Sequence, residues 1–348
     1  MSSDLVLVTG ASGYVASQCI LRLLEDGYQV RGTLRSLRRA DEVRGWLARG
    51  RGGTDPAAAL SFVQSELTDA AGWDVAMADV RYVLHVASPI PPTTPKNADD
   101  LIVPARDGTL NVMRAAARAG VERVVQTSSL AAICYGRDNP NDHVFTETDW
   151  TDPNHRDNSP YTRSKTIAER AAWDELPNLG QQLQWVAINP ALVLGPVLDR
   201  DASASVQVVA KLLNGDFPGL PRLSYPIVDV RDLADLQIRA MTSQPAAGQR
   251  YIGSAGFLSM KEIADALRTG LGEQANKVPI RGLPNWMVRL VGLFDGEVRG
   301  QTFELGKIRK ASSAKAQTQL GWTPRPVEHT IVDTATSLMS VQGSSTSG

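Results

Sequence analysis

The beginning of this chain constrains it most. Residues 5–10 read Leu5-Val6-Leu7-Val8-Thr9-Gly10, residues 11–16 read Ala11-Ser12-Gly13-Tyr14-Val15-Ala16, and an amphipathic run follows over 17–24. An apolar strand that enters closely spaced glycines and leaves as a helix turns backbone N–H groups and the positive helix end outward, where an anionic pyrophosphate can sit. In that pattern Gly10 makes the turn, Gly13 lets the backbone approach phosphate, and Ala16 permits close packing of helix on strand. Glycine turns also precede ordinary helices, so this spacing points to a dinucleotide-binding opening without fixing a subclass.

The next segments carry the same logic forward. A second strand over 28–34 completes a β-α-β unit, and where an Asp or Glu would meet a free ribose 2′-hydroxyl the chain offers Leu34 and then Arg35, with Arg38 and Arg39 close by. No acid occupies 29–39. A 2′-phosphate needs positive donors and is repelled by an acid, so the segment selects NADP(H) over NAD(H). Arg35 is the first contact expected and Arg38 or Arg39 the second; the competing reading is a solvated basic helix, since Arg44, Arg49 and Arg51 continue the run. A Gly/Pro break at 50–57 precedes a strand at 60–63, after which Glu66-Leu67 either reaches an adenine or is simply exposed. A fourth strand over 79–87 ends His85-Val86-Ala87-Ser88-Pro89, small residues that admit a cofactor to the backbone. His85 reads as a histidine hydrogen-bonded inside the sheet. The proline-rich loop 89–95, a helix over 101–119 and a fifth strand over 121–127 follow. Strands alternating with helices predict an α/β fold with a doubly wound, mostly parallel Rossmann-type sheet.

Composition narrows the class. The 348 residues carry 36 Lys and Arg against 37 Asp and Glu, a formal net charge of -1, which gives no general attraction to nucleic acid or to an anionic membrane. Cys19 and Cys134 fall in predicted buried elements and make no disulfide framework. The start has no secretory pattern, no apolar run reaches the roughly 20 residues of a membrane span, and no metal-ligand spacing stands out. A cytoplasmic protein is expected, with a disordered small and polar tail over 340–348.

The chemistry enters at the fifth strand, which delivers Thr127-Ser128-Ser129 at its carboxyl edge. Later comes Tyr161-Thr162-Arg163-Ser164-Lys165, opening a helix that runs through Trp173. The i,i+4 spacing puts a phenol and an ammonium on one helix face. A phenol of pKa about 10 is a poor acid–base group at neutrality. An adjacent cation stabilises phenolate and a serine hydroxyl can hold a substrate oxygen, so the three residue types divide the work of moving a proton while a hydride moves.

Joined in chain order, these motifs resemble the extended short-chain dehydrogenase/reductase superfamily. They are similar, more narrowly, to the group of plant dihydroflavonol and cinnamoyl reductases and microbial NADPH-dependent aldehyde and ketone reductases. The resemblance rests on the segments 8–16, 27–35, 85–89, 127–129 and 161–173 and spans nearly the whole chain. It implies Ser129, rather than Ser128, as the catalytic serine, Tyr161 as the acid in reduction, and Lys165 as the residue that binds the nicotinamide ribose and lowers the tyrosine pKa. It also implies NADPH/NADP+ as cofactor. The expected cofactor contacts are Thr9, Gly10, Ser12, Gly13, Tyr14 and Val15 at the turn, Arg35 with Arg38 or Arg39 at the 2′-phosphate, and Glu66-Leu67 at the adenine. Val86, Ala87 and Ser88 are expected near the ribose, together with Thr127, Tyr161 and Lys165, and Asn189-Pro190 beside the nicotinamide amide, with Val193 near. Sugar-nucleotide epimerases usually carry Asn before the Gly-Thr that is here Gly108-Thr109; Pro104 and Ala105 stand in that neighbourhood.

After a sixth strand over 184–189 the composition breaks. Helices are expected at 203–213, 261–269 and 283–293, a strand at 227–230 and a helix at 232–240 that return to the main domain, and another strand at 249–253. The expected organisation is an NADP-binding domain over 1–190 with returning segments around 227–255, and a smaller substrate lobe from 191–226 and 256–340. Candidate apolar lining residues are Ile90, Ile133, Val193, Leu194, Phe217 and Tyr225, each equally readable as core. These features favour reduction of a neutral, small-molecule carbonyl compound to an alcohol. A dihydroflavonol-like substrate is the second choice within that reading; the alternatives are an NAD-dependent sugar-nucleotide epimerase or dehydratase and a non-catalytic dinucleotide-sensing protein. Monomer and homodimer both remain open.

Overall fold

The computed structural model describes residues 4–89, 95, 97–156, 158–180, 182–199 and 203–343. The first half alternates strand and helix: β1 (Leu5–Val8), α1 (Tyr14–Glu25), β2 (Gln29–Leu34), α2 (Ala40–Gly50), β3 (Leu60–Gln64), α3 (Trp73–Met77), β4 (Val80–His85), α4 (Asp99–Arg118) and β5 (Arg123–Thr127). Next come β6 (Val144–Phe145), α5 (Pro160–Glu175), β7 (Gln184–Pro190), β8 (Leu192–Leu194), α6 (Ala204–Asn214), β9 (Ser224–Asp229), α7 (Val230–Thr242), β10 (Arg250–Gly253) and β11 (Gly256–Ser259). The chain ends with α8 (Met260–Leu271), α9 (Asn285–Val291), α10 (Gly296–Gln301), β12 (Lys310–Ala311), α11 (Ala314–Leu320) and α12 (Val327–Gly343).

Seven strands form one sheet in the order β10-β7-β5-β4-β1-β2-β3, and all neighbours run parallel. Parallel strands covered on both faces need apolar residues at successive positions, and β1 supplies them. Val6 and Val8 join the layer that contains Ile20 and Leu23 of α1, while Leu7 joins the opposite layer with Val112 of α4 and Trp185 of β7. The strand order reverses between β1 and β4. That switch point opens a crevice at the carboxyl ends of the strands, and it places the Gly10 turn, the Val86–Ser88 segment and the Thr127–Ser129 segment along one edge.

A second sheet, β11-β9-β8, and the two-stranded pair β12-β6 complete the β structure among the described residues. The small sheet lies with a separate apolar cluster in which Val206 and Val209 of α6, Ile263 and Leu267 of α8 and Ile331 of α12 are buried. Several expectations change here. Helix α7 returns to the large sheet layer, carrying Leu233 and Leu236 into its core, and β10 forms the sheet's edge. Strand β9 instead pairs with β8 and β11. The strands β6, β8, β11 and β12 are two to four residues long and have too few positions to show a period. Helix α1 starts at Tyr14 instead of residue 17, because Gly13 takes an extended N-cap conformation (φ -83°, ψ 154°). Helix α12 runs to Gly343, so residues 340–343 are helical where a disordered tail was expected; Ile331, Ala335 and Leu338 supply a buried face that holds the helix down. Residues 344–348, Ile90 and positions 91–94 of the proline-rich loop lie outside the described residues.

Among the described residues no helix is long and apolar enough to cross a membrane, and no three His, Cys, Asp or Glu side chains gather to hold a metal ion. Cys19 and Cys134 are both free and buried; burial pushes the Cys19 thiol up to about 12 and raises Cys134 as well.

Candidate active site

The turn after β1 is built for close approach. Gly10 has φ +69°, and a Cβ there would lie 3.0 Å from the Ala87 Cβ and 3.2 Å from its Cα, so both the conformation and the space call for glycine. The Gly10 N–H donates to the Thr33 hydroxyl at 2.9 Å, tying the turn to β2. Gly13 is exposed at the N-terminus of α1, with Ser12 and Val15 half-buried beside it. The first helical N–H groups therefore open onto the crevice. Tyr14 turns the other way: its hydroxyl donates to the Gly195 carbonyl at 2.8 Å and its ring packs with the cluster of the small sheet.

Thr9 is fully buried, and its hydroxyl accepts from the N–H groups of Val86 (3.0 Å) and Ala87 (2.9 Å). With both acceptor sites filled, its proton goes to His85 Nδ1, 3.0 Å away. His85 is thus neutral with its own proton on Nε2, and burial with the nearby Lys165 charge lowers its pKa to about 3. Thr9 was expected among the cofactor contacts; in the structure its side chain braces β1 to the end of β4. The same brace consumes the N–H groups of Val86 and Ala87, and Ala87 and Ser88 line the cleft.

Arg35 and Arg38 are exposed at the end of β2 and, among the described residues, their guanidinium groups have no ion-pair partner. Arg39 is engaged: it pairs with Glu42 at 3.0 Å and lies 5.3 Å from the centre of the Trp46 ring. Glu66 is exposed, its carboxylate accepting from the Leu67 N–H at 2.9 Å. The Leu67 carbonyl is held by Asn111 of α4 at 3.0 Å. Leu67 lines a cleft together with Ser88, Thr127 and Lys165.

The two adjacent serines at the end of β5 have separate surroundings. Ser128 is buried and donates its hydroxyl to Glu169. Ser129 starts a single 3-10 turn, accepts from the Ala131 N–H at 3.1 Å and presents its hydroxyl to the Tyr161 phenol. Ser159 caps α5 by accepting from the Thr162 N–H at 3.1 Å, and Pro160 follows at the first helical position, so Tyr161 stands in the opening turn with 40% of its surface exposed. The protein packed around the phenol hinders its hydration and raises its pKa, and Ser129 pulls against that rise. Lys165 is itself buried, facing the cleft next to His85 and Gln126; burial pushes its pKa down to about 8, while Glu169 raises it.

Asn189, expected beside a nicotinamide amide, is fully buried and turned inward. Its amide nitrogen donates to the Glu169 carboxylate at 2.7 Å and to the Ser129 carbonyl at 3.1 Å. Pro190 is buried and Val193 half-buried on β8. Of the apolar lining candidates, Ile133 and Leu194 are core residues at 1% and 0% exposure, whereas Phe217 and Tyr225 are partly exposed. Sequence reasoning missed Glu169 and Arg250. Glu169 continues the line Tyr161, Lys165, Glu169 at steps of four, a regularity that was readable; Arg250 reaches it from 81 residues away and gave no signal.

The sequence pattern of the NAD dependent epimerase/dehydratase family matches residues 6–252. The chain is 35% identical over 269 residues to cinnamoyl-CoA reductase 1 of Petunia hybrida, covering 77% of each protein. It is 33% identical over 267 residues to tetraketide alpha-pyrone reductase 2 of Arabidopsis thaliana, covering 75% of this chain and 81% of that one. Among solved structures, yeast methylglyoxal/isovaleraldehyde reductase Gre2 complexed with NADPH superposes with a TM-score of 0.77 at 26% identity, over 97% of this chain and 99% of that one.

Proposed function

The chain belongs to the NAD dependent epimerase/dehydratase family, the extended short-chain dehydrogenase/reductases, and from that premise we propose that it is an NADPH-dependent reductase of aldehydes or ketones. The observation that carries the proposal is the placement of Ser129 at the end of β5 and of Tyr161 and Lys165 one turn apart on α5, beside the switch point of the sheet, with Lys165 facing the cleft. Reductase relatives, one of them solved with NADPH, support the same reading.

The residues present fit a dinucleotide phosphate. Gly10 leaves the space a Cβ would fill, the N-terminus of α1 presents N–H groups to a pyrophosphate, and Arg35 with Arg38, without an ion-pair partner among the described residues, offers cations to a 2′-phosphate. Bound NADPH supplies the hydride. This chain's residues manage the oxygen and its proton. Ser129 holds the carbonyl oxygen by a hydrogen bond, and Tyr161, kept protonated by its raised pKa, donates its proton as negative charge develops there. Lys165 places a cation one helical turn from the phenol, which stabilises the phenolate as it forms and can hold the ribose hydroxyls of the cofactor. Substrate enters between this edge and the lobe built on β8, β9 and β11, where the half-buried Tyr225 and Phe217 offer an apolar surface for a neutral compound.

The test is purified protein with NADPH and a panel of short aldehydes, β-ketoesters, aryl ketones and flavanonols, followed at the cofactor absorbance with the alcohol product identified. Oxidation of NADPH with one alcohol formed per cofactor supports the proposal. Inactivity across the panel, with tightly retained NAD and conversion of a nucleotide sugar without consumption of NADPH, would overturn it in favour of an epimerase.

A further inference from the structure

Two turns into α5, one turn beyond Lys165, Glu169 is fully buried. Its carboxylate accepts from the Ser128 hydroxyl, from the Asn189 amide at 2.7 Å, from Arg250 Nε at 2.6 Å and from the Trp173 indole at 3.4 Å. Arg250 begins β10 and is 8% exposed. It donates to the carbonyls of Glu147 and Asp149, each at 2.8 Å, and its guanidinium carbon lies 3.7 Å from the centre of the Trp150 ring. Taking both ions out of water costs several kcal/mol each, and well-packed apolar residues hold layers together at least as well. Packing alone therefore does not account for this pair. Its contacts lead to the reacting groups: Asn189 passes from Glu169 to the Ser129 carbonyl at 3.1 Å, Ser128 is the neighbour of Ser129, and Lys165 shares the helix face.

We propose that the buried Glu169–Arg250 pair is the positioning element of the active site, fixing Ser129 through Asn189 and Ser128 and supplying the fixed negative charge that Lys165 faces. The groups around Lys165 bear this out. From β4 it meets His85, which is neutral; from β5 come uncharged Gln126 and Thr127, and from α4 uncharged Thr109. Tyr161 on its own helix is protonated, so Glu169 is the anion acting on it. Arg250 aims that carboxylate through its Nε and joins it to the 147–150 segment that precedes α5.

The inference rests on the reductase reading, and three measurements on the full-length protein separate the two. In Glu169→Gln, kcat falls roughly 10- to 100-fold, the scale of a small misplacement at a reacting centre, NADPH affinity changes little, and the alkaline limb of kcat/KM moves to lower pH. In the double variant Glu169→Met with Arg250→Met, which removes both buried charges together, kcat stays depressed in protein that still folds and binds NADPH. Lysine-selective NMR, which needs no turnover, shows Lys165 titrating at lower pH in Glu169→Gln than in wild type. A double variant that reduces carbonyls at the wild-type rate would overturn the proposal, as would Glu169→Gln with an unmoved alkaline limb. If the wild type itself proves inactive on carbonyls, the reductase reading fails and the Lys165 titration decides this one: an unshifted Lys165 overturns it.

Discussion

Replacing Thr9 by Val tests whether the end of β1 is a brace or a ligand. The two side chains are close in shape, so the change removes little besides the hydroxyl. That hydroxyl makes three hydrogen bonds, from Val86 N–H at 3.0 Å, from Ala87 N–H at 2.9 Å and to His85 Nδ1 at 3.0 Å. A buried donor left without a partner costs about 1–3 kcal/mol. Val86 and Ala87 are half-buried, so each belongs at the lower end, and with the His85 bond the expected loss is about 2–4 kcal/mol. Thr9→Ser keeps the oxygen and deletes one methyl group, which costs about 1 kcal/mol. Urea unfolding at neutral pH measures both, read from the midpoint at an unchanged slope. NADPH binding should weaken in Thr9→Val because the Ala87 segment loses its anchor, and it should survive in Thr9→Ser. A Thr9→Val protein with wild-type stability and lost NADPH binding would refute the argument and return Thr9 to the cofactor.

Arg35→Glu should weaken NADPH roughly 10- to 100-fold, the value of charge-assisted hydrogen bonds to a phosphate, and leave NADH nearly unchanged; equal loss of both, by fluorescence titration, would assign Arg35 to structure. Lys165→Met should abolish turnover and yet raise stability at pH 7 by about 3 kcal/mol, because the native state depresses this lysine from 10.5 to about 8. The sign follows from proton binding: below about pH 8 the folded protein carries the full cost of the buried charge, and between about 8 and 10.5 the wild type sheds that proton and regains stability. The advantage of Lys165→Met should therefore shrink over that window in urea midpoints measured against pH, and a constant difference would contradict it. The same ionisation predicts that kcat/KM for carbonyl reduction falls above about pH 8.

The sheet was legible because five of its seven strands run five to seven residues and all are separated by turns and amphipathic helices. The order of those strands makes Gly10, Ala87 and Ser129 neighbours, and the motifs already placed them at strand ends. The small lobe was harder. Leu192–Leu194 and Gly256–Ser259 become strands because Ser224–Asp229 lies between them, and no local period announces such a partnership. The same limit applies within the site. Residue types identified Ser129, Tyr161 and Lys165, but whether Asn189 faced a ligand or a carboxylate depended on where Glu169 and Arg250 meet, a contact between α5 and β10. Thr9 shows the converse: its place in the motif was clear, and its hydrogen bonds required β4 to be next to β1.

The central claim is that Tyr161 delivers the proton to a reduced carbonyl oxygen. Tyr161→Phe keeps the ring and removes the donor, so the decisive measurement is its kcat for NADPH-dependent reduction of the best substrate in the panel, taken together with NADPH affinity by titration. The account predicts affinity close to wild type with kcat lowered roughly 10²- to 10⁴-fold. A folded Tyr161→Phe protein that binds NADPH and reduces carbonyls at near the wild-type rate would contradict it.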